Sequence, residues 1–295
     1  MAIIADLMKD WVEIMRSDLK VAGVRVGKLL TDEDVSLAFW NMHQRRIQTR
    51  PRRVHVAPEL VCPEHLVAVV DQLKAKMERG ENVNAYRSRA VSNPGHHMFN
   101  DRLLNDWGVQ HLHLGTGIDE CLYVYFTGTD AYFLDVMGHR QYEKQELMLR
   151  LHRNWPEAID AYRMKGFTKS DDWTDANVKK LRGCGFTYIL KLDGVPYIAP
   201  GGGYMKSGNS MTAMKRSNAA FTQIQEWQER LLKQGDEVVL EMKAAGLTVG
   251  EPPAFKLHIR NDWYCSAVEW TAEAGIEMGF LLGPPQEEPT PTAEN

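Results

Sequence analysis

Residues 111–146 read HLHLGTGIDECLYVYFTGTDAYFLDVMGHRQYEKQE, and no other stretch restricts the fold as strongly. Three short apolar runs, 111–114, 121–126 and 131–136, are separated by Gly-rich turns. Runs this short, rich in β-branched and aromatic residues and closed by Gly and Asp, are strands rather than helices. Turns this short leave no room for a crossover helix, so the strands form a compact antiparallel sheet. Residues i and i+2 of a strand share a face, which sends His111 and His113 to one side and Leu112 and Leu114 into the core. The third strand ends in Gly138-His139-Arg140-Gln141-Tyr142.

Histidine titrates near neutral pH, and arginine grips phosphate through a planar fork. A sheet that delivers both types points to a polyanionic substrate, RNA foremost. The histidine pair has three readings. It binds a metal, with a third ligand drawn from His139, His96, His97, Asp135 or Glu143. It works without metal, as acid and base on a phosphodiester. Or it is two surface histidines beside a helix. The metal-free chemistry is coherent, because RNA carries its own nucleophile in the 2′-OH. The protein then supplies a base, an acid for the leaving 5′-oxygen and a cation for the phosphate.

The order of helices, a strand, an LYVYF strand and a strand ending in Gly-His-Arg-x-x-Tyr resembles the RelE/ParE-like toxin fold over residues 64–150. The resemblance implies RNA cleavage, with Arg140 stabilising the charge on phosphorus and Tyr142 or His139 as acid or base. His111 or His113 then takes the strand position that carries arginine in many relatives. The chain departs from that family in its length, its net charge of −4 and those histidines.

A net charge of −4 on 295 residues excludes a bulk nucleic-acid binder and confines any polyanion site to a local patch. Arg45, Arg46, Arg50, Arg52 and Arg53 form the strongest such patch, followed by His55. Their alternative use is to complement a helix C-terminus or pair with the acids at 32–34. Gly203-Tyr-Met-Lys-Ser-Gly208-Asn209-Ser210 nearly has P-loop spacing, but Asn209 stands where lysine is required. Lys206 and Ser207 are left as candidates for an anion site at the next helix start. Cys62, Cys121, Cys184 and Cys265 lie far apart, as buried reduced thiols do. No apolar stretch is long enough to span a membrane, so a cytoplasmic protein with no membrane partner is expected.

Helical spacing is present at 5–21, and Thr31-Asp32-Glu33-Asp34 opens a second helix running to about 46. A third runs from 62 to Gly80, and short helices lie at 100–107 and 175–182. Helix resumes over 142–154. Asp193-Gly194 closes a hairpin between 186–192 and 195–199. Two helices, 207–233 and 238–245, precede a strand pair at 254–259 and 264–270.

The expected class is α+β: a small antiparallel sheet with packed helices, plus a second mixed α/β unit. The expected divisions are a helical region at 1–60, a RelE/ParE-like domain at 61–160, a mixed domain at 161–283 and a disordered acidic tail at 284–295. The leading functional expectation is a metal-independent endoribonuclease-like toxin or host-defence effector needing no cofactor and no metal. Its catalytic set is His111, His113, His139, Arg140 and Tyr142. Arg45, Arg46, Arg50, Arg52, Arg53, Lys206 and Ser207 hold substrate. The alternatives are a non-enzymatic module of a toxin–antitoxin or phage-defence system, binding nucleic acid or an antitoxin-like protein, and a metal-dependent nuclease.

Overall fold

The computed structural model describes residues 3–24, 26–27, 30–87, 101–139, 141, 143–166 and 172–282. In chain order the helices are α1 (Leu7–Val21), α2 (Asp32–Arg45), α3 (Val67–Glu78), α4 (Arg102–Trp107), α5 (Glu146–Asn154), α6 (Asp175–Cys184) and α7 (Met211–Ala244). The strands are β1 (Ile4–Ala5), β2 (Arg53–Val56), β3 (Val109–His113), β4 (Glu120–Phe126), β5 (Asp130–Gly138), β6 (Leu190–Leu192), β7 (Val195–Tyr197), β8 (Ala254–Ile259), β9 (Tyr264–Glu269) and β10 (Ala274–Phe280). The fold is α+β, as expected. The expected tail at 284–295 and the His96-His97 pair lie outside the described residues.

The chain forms two compact units whose boundaries differ from the sequential division expected. One holds Met1–Ala22, Val26–Phe39 and Lys215–Asn295; the other holds Gly23–Arg25 and Trp40–Met214. No division falls near residue 160. Ile159, Val178, Tyr188, Leu190, Leu192 and Tyr197 share one core with Tyr123 and Leu134 of the sheet, so side chains from beyond residue 160 complete the sheet's burial.

The sheet of the second unit has the order β2-β5-β4-β3, antiparallel except for the parallel β2–β5 pair. Both faces are covered. Leu112, Leu122, Val124, Phe133 and Val136 pack on Leu66, Val70, Leu73 and Met77 of the α3 segment. Val109, Cys121, Tyr123, Tyr125 and Leu134 pack on Leu147, Met148 and Leu151 of α5. Each fully buried leucine contributes about 1.5–3 kcal/mol. A bulge between Tyr123 and Val124 lets two consecutive β5 residues, Leu134 and Asp135, oppose one step of β4. Asp135 and Leu134 then both meet α5, where Arg150 Nη1 lies 2.9 Å from Asp135 Oδ2 and donates to the Leu134 carbonyl.

The Asp193-Gly194 hairpin forms as read, both residues at positive φ (45° and 85°), joining β6 to β7. The Gly-rich loop is a packing element. Gly201 N and Gly203 N donate to Asp106 O and Asn105 O, and a Cβ on Gly201 would lie 2.1 Å from Leu104 O. Below α4, Asp106 is paired with Arg182, whose guanidinium also stacks 3.9 Å over the Trp107 ring.

The first unit joins the chain's two ends. β1 pairs with β8 in parallel, and Leu257 N donates to Asp10 Oδ2 of α1. Trp11 meets Phe39 edge-on, and Phe39 meets Trp263. The two helices expected at 207–233 and 238–245 are one continuous α7. Gly235 is no breaker: a Cβ there would collide with Ile3, so the missing side chain admits the N-terminal strand. Thr31 and Asp34 form the reciprocal cap expected at α2, each side chain accepting from the other's backbone N–H.

Glu269 is fully buried in β9, and its carboxylate accepts from Gly250 N, Ala254 N, Thr271 N and Ala272 N. Removing it leaves four backbone N–H groups without their acceptor. Glu269→Ala is expected to lower stability by about 3 kcal/mol, read as a shift in denaturant midpoint. The exposed Glu241→Ala should change it by under about 0.5 kcal/mol.

Candidate metal centre

Period-two alternation decides which side chains meet. Leu112 and Leu114 take the α3 face, so His111 and His113 emerge on the opposite one. In register they lie beside Tyr123 and Cys121 of β4, and Cys121 lies beside Met137 of β5. His139, two residues past Met137, returns to the same face just beyond the end of β5. The three rings converge across β4, with centroids 5.8 Å apart for His111–His113, 5.1 Å for His111–His139 and 4.8 Å for His113–His139. One ligand nitrogen from each lies within 4.8 Å of the other two. Tyr123, fully buried, fixes the end of β5 by donating its hydroxyl to Gly138 O at 2.9 Å.

The surroundings favour neutral imidazole. His111, with a side chain 9% exposed, is held below the ordinary histidine pKa chiefly by burial, partly opposed by Asp101. Asp101 has two tasks: Oδ1 caps α4 by accepting from Leu104 N, and Oδ2 sits 3.9 Å from His111 Nδ1. Cys121 Sγ lies 3.8 Å from His113 Nδ1. Burial pushes that thiol up to about 12, so it stays S–H near neutral pH.

Three imidazoles on one patch are a metal-ligand set, and three protein ligands leave a fourth tetrahedral position open. On zinc, with Zn–N of about 2.0 Å, neighbouring nitrogens sit about 3.3 Å apart. Of the other ligand candidates, Asp135 pairs with Arg150, and Glu143 Oε1 lies 3.2 Å from Lys179 Nζ. Arg140 and Tyr142 lie outside the described residues.

The arginine run divides. Arg45 is 7% exposed at the end of α2, and its carbonyl accepts from Gln110 Nε2 of β3, one residue before His111. Arg46 is exposed. Arg50 binds Gln48 Oε1. Arg52 donates to the carbonyls of Gln48, Arg50 and Thr127 and covers Phe126. Arg53 grips Asp130 with both arms of its fork, and His55 Nε2 is 2.7 Å from the same carboxylate. Lys206 and Ser207 are exposed; the Lys206 backbone packs on Gly185, and Ser207 Oγ accepts from Asn209 N. Sequence reasoning missed Asp101, readable as the N-cap of a short helix, and Arg87, which carries no motif.

Comparison with protein-family models, with curated proteins and with solved structures finds no match.

An unfolded histidine takes up its proton near the ordinary value of 6.5, whereas folded His111 resists protonation to lower pH. Its contribution to stability is therefore full above 6.5 and is lost as pH falls through the window between that value and the lower folded one. Denaturant midpoints measured from about pH 8 to about pH 5 should fall less steeply for His111→Gln than for the wild type. Parallel slopes would refute this.

Proposed function

We propose that the protein is a metal-dependent hydrolase of phosphodiesters, with RNA as the substrate class. The observation that carries this reading is the convergence of His111, His113 and His139, with ligand nitrogens within 4.8 Å of one another. A divalent ion of the zinc class held there would supply Lewis acidity and lower the pKa of a water in the open position. Cys121 Sγ, 3.8 Å from Nδ1 of His113, and Asp101, 3.9 Å from Nδ1 of His111, would favour Nε2 of those rings as the ligating nitrogen. Arg45 brings positive charge to the same end of β3, where an anionic substrate would lie.

Burial that keeps His111 neutral suits a ligand better than a proton donor, which places the metal reading ahead of metal-free cleavage. The metal-independent endoribonuclease reading rests on Arg140 and Tyr142 and on the likeness to RelE/ParE toxins. The toxin and host-defence roles rest on that likeness too.

The test is cleavage of labelled RNA and single-stranded DNA by the full chain, with EDTA and after re-addition of zinc or manganese, beside elemental analysis. The expected result is RNA cutting that EDTA stops and metal restores. His139→Ala should lose bound metal, and should lose more than the roughly 100-fold in rate typical of an outer-shell partner. EDTA-resistant cutting would instead support the metal-free mechanism. A well-folded protein that cuts neither substrate would support a non-enzymatic binding module.

A further inference from the structure

We propose that Arg45 and Arg87, with Arg46 at the rim, form a phosphate-binding subsite beside the histidine cluster. The assignment of this phosphate to a substrate rests on the hydrolase reading above. The binding itself does not, because no metal takes part in it.

Two side-chain stitches bring the arginines together. Asn84, in the 3-10 turn Asn84–Tyr86, accepts from Ile47 N at 2.9 Å and donates to Ile47 O at 2.8 Å. The end of α2 is thereby tied to the turn that leads into Arg87. Gln110 Nε2 ties Arg45 O to β3 at 3.1 Å. Both stitches hold backbone, so the guanidiniums themselves are not consumed in making the site.

The charges are unusual for what neutralises them. Arg45 is 7% exposed and Arg87 is partly buried. Arg45 Nε, Arg87 Nε and Arg87 Nη1 are buried and have no hydrogen-bond partner among the described residues. Burial, and then the repulsion of Arg46 and Arg45, lowers Arg87 to about 10. The acid acting on Arg45 is Asp101, which also faces His111 and caps α4. Arg52 and Arg182 show what structural arginines of the same unit do: one is spent on three carbonyls, the other on Asp106.

Buried guanidinium donors left unmatched are costly, and an oxyanion placed among them removes that cost. A phosphoryl group suits them better than a carboxylate. Its tetrahedral oxygens meet two forks from different directions, and a dianion offsets two positive charges. The phosphoryl group belongs either to a nucleic-acid strand or to a small phosphate, and the arms below separate these.

The experiment titrates the EDTA-treated full chain with inorganic phosphate, and with an RNA oligonucleotide bearing or lacking a terminal phosphate. Binding is read by calorimetry and by the rise in Tm. Wild type should bind phosphate and be stabilised by it. Arg87→Gln and Arg45→Gln should each weaken binding about tenfold or more. Arg87→Gln should also raise the ligand-free Tm, because an uncompensated charge is gone. Arg87→Lys keeps the charge, loses the fork, and should bind more weakly than wild type. His139→Ala should retain phosphate binding, so failure of the metal centre would not imitate failure of this subsite. Tighter binding of the terminally phosphorylated oligonucleotide than of free phosphate assigns the site to a strand end; equal binding assigns it to a small phosphate. No phosphate-induced Tm shift, or equal binding by wild type and Arg87→Gln, would overturn the proposal.

Discussion

Leu112 and Leu122 lie opposite one another at the centre of β3 and β4, and neither has any exposed surface. Their contact fixes the register of a sheet that is covered on both sides. A slip of one residue would carry Leu112 and Leu114 out of the α3 core and push two histidines into it. The cost of burying imidazoles without partners forbids that slip. The functional face is thus set by leucines on the other face. The histidines occupy the place where the second core, rich in tyrosine, gives way at the edge strand and at the end of β5.

Polar side chains around the site work mainly by holding backbone. Gln110 and Asn84 capture carbonyls and N–H groups near Arg45 and Ile47, while Tyr123 captures Gly138 O. Asp101 divides its two oxygens between a helix end and a histidine. This leaves the charged groups to face one another rather than the scaffold. The contrast is the Asp106–Arg182 pair, where acid and base neutralise each other inside the same unit and the ring of Trp107 covers the cation. Burial pushes Asp106 upward in pKa, and Arg182 opposes the shift. One kind of buried charge closes the fold; the other keeps the potential of the site positive.

The parts of this arrangement that were legible in the sequence are those written in short range. The three strands read at 111–114, 121–126 and 131–136, the Thr31 cap and the Asp193-Gly194 turn each depend on neighbours a few residues away, and each formed as read. The two histidines of β3 were legible as a pair for the same reason. Their partner His139 was one of five candidates, since spacing alone does not say where the end of β5 points. The compact units were illegible because their defining contacts, such as Ile4 with Ala254, span nearly the whole chain. The break expected between 233 and 238 is absent, and Gly235 inside that gap admits Ile3 rather than ending the helix. β10 was missed, its run broken by Gly275 and Gly279. Arg87 was invisible because its meaning comes from Asn84 and Ile47, which lie 37 positions apart.

The bulge in β5 has a consequence of parity. Beyond Leu134 and Asp135 every residue of the strand is displaced by one step relative to β4, so Met137 meets Cys121 and His139 falls on the face of His111. A strand of the same length without the bulge would turn Asp135 into the α3 core and His139 to the opposite side. The three-histidine cluster therefore depends on an odd count as much as on chemistry. In this segment a point substitution is a quantitative change, whereas straightening the bulge at constant length is an inversion.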